Sequence, residues 1–365
     1  MQRMVAKSLQ AGQAYQLVVS LQQQLVDRLQ RISAASGSGR HFEPVEWFRA
    51  DGLHGGGIRY VTDDKTVFNQ ASVNVSQVQY DADDTKSLAS ATALSSIIHP
   101  HNPLAPSVHL HVSWTEMKTG HGYWRVMADL NPAIENPQHT AQFKEALATS
   151  AMHRADPQSL NDEPGLDSEQ LAVGFAQGDR YFHIPALARH RGVCHFYLEN
   201  YFTDNIGADI AMAERVISTV IDTYSSLLDG SVQENIPPQA DDFSCQLDYH
   251  SLYFFQVLTL DRGTTSGLLV HNQNDVGILG SLPTAVDKAL IRSWQPNMPE
   301  PQGQLLDALL DCLPTPPQSS RHSVIDDTVK RALANAVRGH YKVNPEALAL
   351  QASGAIIPPT VANHQ

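Results

Sequence analysis

Four histidines crowd into one short stretch of the chain. His99, His101, His109 and His111 all lie within Ser95–Ser113, which reads SSIIHPHNPLAPSVHLHVS. Imidazole titrates near neutral pH and is the commonest transition-metal ligand, so this cluster suits either acid–base catalysis or a metal centre. His109 and His111 alternate with Val108, Leu110 and Val112. That two-residue period is a strand's, and it puts both rings on one face. Prolines at 100, 103 and 106 separate the two pairs by a stiff turn, which can fold one pair towards the other. The alternative is a polar layer of hydrogen-bonded histidines over a sheet.

The elements around the cluster follow from pattern. Val5, Leu9, Leu17, Leu21, Leu25 and Leu29 form an apolar stripe that predicts a helix over 4–32, with a flexible joint at Ser33–Arg40. Gly55, Gly56 and Gly57 suggest a tight turn or a close backbone approach, since three glycines suit neither a strand nor a helix interior. Strands are expected at Val67-Phe68, Val73–Val78, Gly122–Leu130 and His195–Leu198, and above all at Tyr253–Leu260, with Asp261–Gly267 as the turn after it. Helices are expected over 138–152, 167–176, 209–229 (closed by Gly230), 303–312 and 324–338, with a loop at Pro157–Pro164 and a loose tail at the C-terminus. The βαβ rhythm of a parallel sheet is absent. Fold class is therefore α+β: a large, mostly antiparallel sheet flanked by helices on both faces. Three divisions are expected: 1–40 (helix and linker), 41–290 (the main domain) and 291–365 (a helical extension with its tail).

Composition narrows the function classes. Of 365 residues, 42% are apolar and 17% charged, and the net charge is −13. An acidic chain is a poor nucleic-acid partner. No apolar run is long enough for a transmembrane segment, and the N-terminus lacks the apolar core of a signal peptide. Cys194, Cys245 and Cys312 are few and unpatterned, which fits a reducing cytoplasm rather than a disulfide framework.

Five segments in register resemble the oxygen-dependent coproporphyrinogen III oxidases. They are Trp47 with GGGIRYV and VFNQASVNVSQV; IIHPHNPLAPSVHLHV; ADLNP; YFHIP with Arg191-Gly192-Val193; and LTLDRGTTSGL with ILGSLP. The likeness runs from about Trp47 to Pro283. It implies a broad antiparallel sheet covered by helices, and a homodimer. It also implies an O2-dependent oxidative decarboxylation of propionate side chains to vinyl groups, with no organic cofactor. By the same resemblance His109 matches a proton donor, His99 and His109 match metal ligands, and Ser95 matches a substrate contact. Asp261 and Arg262 match a pair that handles substrate.

Departures from the family concentrate at the pocket. Its Asn-x-Arg becomes His111-Val112-Ser113, its glycines become Arg125-Val126-Met127 and Cys194-His195, and its Gly-Gly-Arg becomes His271-Asn272-Gln273. Side-chain volume is added and two arginines are lost. Both changes favour a ligand smaller than coproporphyrinogen or differently charged, contacted by Ser95, His111, Ser113, Arg125, His271 and Gln273. The added imidazoles make a rebuilt Fe or Cu centre plausible, from His99, His109, His111 and His195. The expectation is an O2-dependent oxidoreductase acting on a small molecule, with His109, Asp261 and Arg262 as its catalytic residues. A genuine coproporphyrinogen III oxidase and a non-catalytic tetrapyrrole- or metal-binding protein are the alternatives.

Overall fold

In a computed structural model, which describes residues 2–152, 165–234, 236–271 and 273–352, alternation along the chain builds one dominant sheet. Chain order is α1 (Leu9–Ala35), β1 (Glu43–Phe48), β2 (Gly55–Val61), β3 (Phe68–Gln79), β4 (Leu88–Pro100), β5 (Ser107–Met117), β6 (Gly122–Asn131), α2 (Pro137–Ala151) and α3 (Ser168–Phe182). Then come the two-residue strands β7 (His183–Ile184) and β8 (Arg189–His190), followed by β9 (Cys194–Tyr201), α4 (Ile206–Gln233), α5 (Ala240–Thr259), α6 (Arg262–Val270) and α7 (Asp275–Ile278). The chain ends with β10 (Ala285–Val286), α8 (Lys288–Trp294), α9 (Gln302–Cys312), β11 (Ser323–Val324) and α10 (Asp327–Val343). The seven-stranded sheet runs β1-β2-β3-β4-β5-β6-β9, antiparallel throughout.

Each strand divides its residues between two very different faces. Val108, Leu110 and Val112 of β5, Val126, Ala128 and Leu130 of β6, and Phe196 and Leu198 of β9 turn one way. They pack with the leucine stripe of α1 and with Val216, Ile217 and Val220 of α4. The opposite face is polar where it meets α5 and α6, and it carries the histidines. Leu252, Phe254, Phe255 and Leu258 of α5 anchor a second apolar core, shared with Leu305, Leu306 and Leu309 of α9 and Leu333 and Val337 of α10. The α+β architecture with helices on both faces is therefore present.

Several local expectations need correction. Tyr253–Leu260 is no strand; it is the second half of α5 up to Thr259, with Leu260 as its cap. Residues 246–259 are almost entirely buried, with polar Gln246, His250, Ser251 and Gln256 among the apolar residues, so the run shows no clean helical stripe to betray it. Asp261–Gly267 is not a turn but the cap and body of α6, whose Asp261 Oδ2 accepts from the Thr264 amide at 2.7 Å. Gly230 lies inside α4, which continues to Gln233. The first helix starts at Leu9 and reaches Ala35, and Val5 and Leu9 of its supposed stripe are exposed.

Gly55–Gly57 do form a strand, and they also make the close approach. A Cβ on Gly57 would sit 2.1 Å from the Val75 carbonyl oxygen and 2.7 Å from the Trp47 indole nitrogen. The expected loop at Pro157–Pro164 and the C-terminal tail beyond residue 352 lie outside the described residues. Among the described residues no helix is long and apolar enough to cross a membrane.

Candidate active site

Between the polar face of the sheet and the corner of α5 and α6 lies a cavity of about 300 Å³. Strand parity decides what reaches it. Cross-strand rows place Ser95 beside His111, Ser113 beside Arg125, and His109 beside Asp129, all on the same face. From the helical side the cavity is closed by Tyr253 and Val257 of α5 and by Asp261 and Arg262 at the corner. His271, Asn274 and Ile278 complete that wall.

A hydrogen-bonded chain runs back from the cavity through His109. Its Nδ1 lies 2.8 Å from Asp129 Oδ1, and Asp129 Oδ2 accepts from Arg191 Nη2 at 2.8 Å. Arg191 Nη1 in turn donates to Gln256 Oε1 at 2.7 Å. The guanidinium is stacked between Phe182 and Tyr253, with ring centroids 4.6 and 5.0 Å away. Burial alone would raise the Asp129 pKa, but Arg191 and His109 outweigh it and hold the carboxyl at about 2. An ionised carboxylate only accepts, so His109 carries its proton on Nδ1 and offers Nε2 to the cavity. This is the geometry of an acid–base imidazole held in one tautomer by a buried carboxylate.

His111 differs from His109. Burial, then the neighbouring His109 and Arg125, lowers it to about 3. It is a neutral ring at physiological pH, with Nε2 3.0 Å from Ser113 Oγ. Burial also raises the Tyr181, Tyr197 and Tyr253 phenols above their usual range, so the tyrosines in the wall act as hydrogen-bond donors.

Asp261 and Arg262 are not an ion pair. Asp261 caps α6 and accepts from Tyr181 Oη at 2.8 Å. Arg262 reaches the buried carboxylate of Glu199 on β9 and donates to Tyr197 Oη at 3.2 Å. Each residue at this corner is thus already held by protein groups. Gln273 is exposed and does not line the cavity, whereas its neighbour Asn274 does.

The four-histidine metal centre does not assemble. His99 is fully buried outside the cavity, with Nδ1 3.0 Å from Ser107 Oγ and its ring packed against Tyr253 and His250. Burial, His250 and Arg191 hold it well below the usual histidine range. His195 shares the row of His109 and Asp129, but its Nδ1 meets Asp179 at 2.9 Å and its Nε2 meets the Arg191 carbonyl at 2.7 Å. Both nitrogens are turned to protein oxygens and not into the cavity. Among the described residues no three His, Cys, Asp or Glu side chains converge as metal ligands.

Asp129, Arg191, Glu199 and Gln256 are the participants that sequence reasoning did not assign. Two of them sit in segments already singled out, Asp129 in ADLNP and Arg191 before Gly192-Val193. Their partnership spans 62 residues. The available signal was parity: Asp129 is an acid inside an apolar strand, a position rarely filled without a buried partner.

Comparison with known proteins gives one family. The sequence profile of the coproporphyrinogen III oxidase family matches residues 13–312. The mitochondrial oxygen-dependent coproporphyrinogen-III oxidase of Homo sapiens is 25% identical over 80% of this chain and 64% of its own length. That of Dictyostelium discoideum is 29% identical over 62% of this chain and 64% of its own. The enzyme of Prochlorococcus marinus (strain MIT 9515) is 24% identical over 85% of this chain and 93% of its own. The chain spans a little under two thirds of the length of the human and rat relatives. The profile match runs from α1, through every strand of the large sheet, to the end of α9, and on that extent the chain belongs to the coproporphyrinogen III oxidase family.

Proposed function

We propose that this protein is an O2-dependent oxidoreductase that decarboxylates a carboxyethyl arm on a substrate smaller than coproporphyrinogen. The observation that carries the reading is the His109–Asp129–Arg191 chain ending in an open Nε2 at the cavity wall. In the reaction the arm loses its carboxylate as CO2 and one hydrogen from the carbon next to the ring, leaving a vinyl group. The electron pair passes to O2 with two protons, one from the substrate and one from solvent, giving peroxide. His109 Nε2 takes and returns the proton. A cavity of about 300 Å³ is at the lower end of ligand sites, which favours a compact substrate. The reading includes a homodimer in the cytoplasm, with no organic cofactor. An oxygen electrode tests it with coproporphyrinogen III and 3-(pyrrol-3-yl)propanoate as alternative substrates. Faster O2 uptake with the small acid supports the reading. Faster uptake with coproporphyrinogen makes this a tetrapyrrole oxidase, and uptake with neither removes the proposed activity.

A further inference from the structure

Three guanidiniums line the cavity, and two are already neutralised. Arg191 pairs with Asp129, and Arg262 pairs with Glu199. The Asp261 carboxylate also lines the wall, but it is held by Tyr181 and the Thr264 amide and is not paired with the third. The site is therefore neutral overall, yet its charges are not evenly matched. Among the described residues Arg125 has no carboxylate partner. Its Nη2 donates to Tyr123 Oη at 3.1 Å, its guanidinium lies 5.2 Å over that ring, and its Nε is buried with no partner at all. Arg59 faces the same side of the sheet but sits behind Gly277, outside the lining.

A half-buried guanidinium without a counter-charge keeps most of its desolvation cost, and a planar carboxylate is its best partner. Around Arg125 the wall offers Ser113 directly across on β5, then neutral His111, so nothing there competes for the anion. Elsewhere the surface is uncharged apart from the paired groups and Asp261, with Trp47, Ile97, Met127, Val257 and Ile278 set among serine, threonine and asparagine side chains. A second carboxylate on the ligand would find only cations that are already paired, or the like charge of Asp261. Desolvating it there is not offset by a new ion pair. Position 113 is four residues from His109, about 13 Å of strand, a span for one ring rather than four.

We infer that the cavity is specific for a monocarboxylate: its single carboxylate binds Arg125, and a compact apolar ring extends along the row towards His109. This names the substrate class of the activity proposed above and rests on that reading for its chemistry, but not for its binding.

Calorimetric titration under nitrogen tests it without turnover. The probes are 3-(pyrrol-3-yl)propanoate, its primary amide, and pyrrole-3,4-dipropanoate, each added to wild type, Arg125→Met and Arg125→Lys. In wild type the acid binds at least tenfold more tightly than the amide, and the diacid binds no more tightly than the monoacid. Arg125→Met brings acid and amide to the same affinity, and Arg125→Lys retains part of the preference. An Arg125→Met protein that still prefers the acid overturns the inference. So does a diacid tenfold tighter than the monoacid, or a folded wild type that binds none of the probes. Arg125-dependent binding without any O2 uptake leaves the monocarboxylate site standing and removes the oxidase reading instead.

Discussion

Replacing Asp129 by Asn tests the buried chain where its energy is concentrated. Asp129 is fully buried, and its carboxyl sits at about 2 against an ordinary 3.8. A folded-state pKa below the unfolded one means stability that is complete above about pH 4 and is lost as pH falls towards 2. That lowering corresponds to about 2 kcal/mol at neutral pH. Asparagine removes that contribution and also leaves the Arg191 guanidinium buried without a counter-charge, a change that costs about 3–5 kcal/mol when one partner of a buried pair is deleted. The two figures overlap, so the expected loss is about 3–5 kcal/mol, a large part of the roughly 5–15 kcal/mol of a whole domain. Urea unfolding at pH 7 reads it directly. The double variant Asp129→Leu with Arg191→Met regains much of the stability, because the orphaned charge goes too. It does not regain activity, because His109 has lost the acceptor that fixes its tautomer. A single-variant loss below about 1 kcal/mol would refute the claim that Asp129 and Arg191 form a coupled buried pair.

Other outcomes follow from neighbouring groups. Arg262→Met takes the cation from the buried Glu199 carboxylate and is expected to cost about 3–5 kcal/mol, whereas adding Glu199→Leu restores part of it; a double-mutant cycle by urea unfolding measures the coupling. Burial and then His322 lower the buried His250 to about 3, so below pH 6.5 the unfolded chain gains protons that the folded chain refuses. From pH 7 to 5 this one residue takes about 2 kcal/mol from the folded state, and the drop shrinks by that amount in His250→Phe. Since no donor set converges on the cavity among the described residues, elemental analysis of the purified protein is expected to find no stoichiometric Fe or Cu.

Much of the sheet was legible because its strands are half-buried, and half-buried strands alternate. Val108–Val112 and Val73–Val78 announced themselves in this way, and α1 did so by its stripe. Pattern fails where an element is buried all round. Tyr253–Leu260 carries two phenylalanines, a tyrosine and a valine in one short run, the composition of a core strand, and α5 is buried on every side. The site was half legible for a related reason. Parity placed His109 and His111 together, but it is local and says nothing of partners 62 or 63 residues away, such as Asp129 to Arg191 or Glu199 to Arg262. His99 and His195 show the limit of counting ligand types, since one is packed in aromatic surroundings and the other has both nitrogens occupied.

The central claim is that His109 Nε2 moves the proton, held in place by Asp129 and Arg191. Its most direct measurement is CO2 release from a carboxyl-labelled propanoate substrate by wild type and His109→Ala under air, with substrate affinity measured in parallel. A loss of 100-fold or more in kcat at nearly unchanged affinity is the predicted result, in line with the roughly 10²–10⁴-fold share of a positioned acid–base group. A His109→Ala protein that releases CO2 at the wild-type rate would contradict the account.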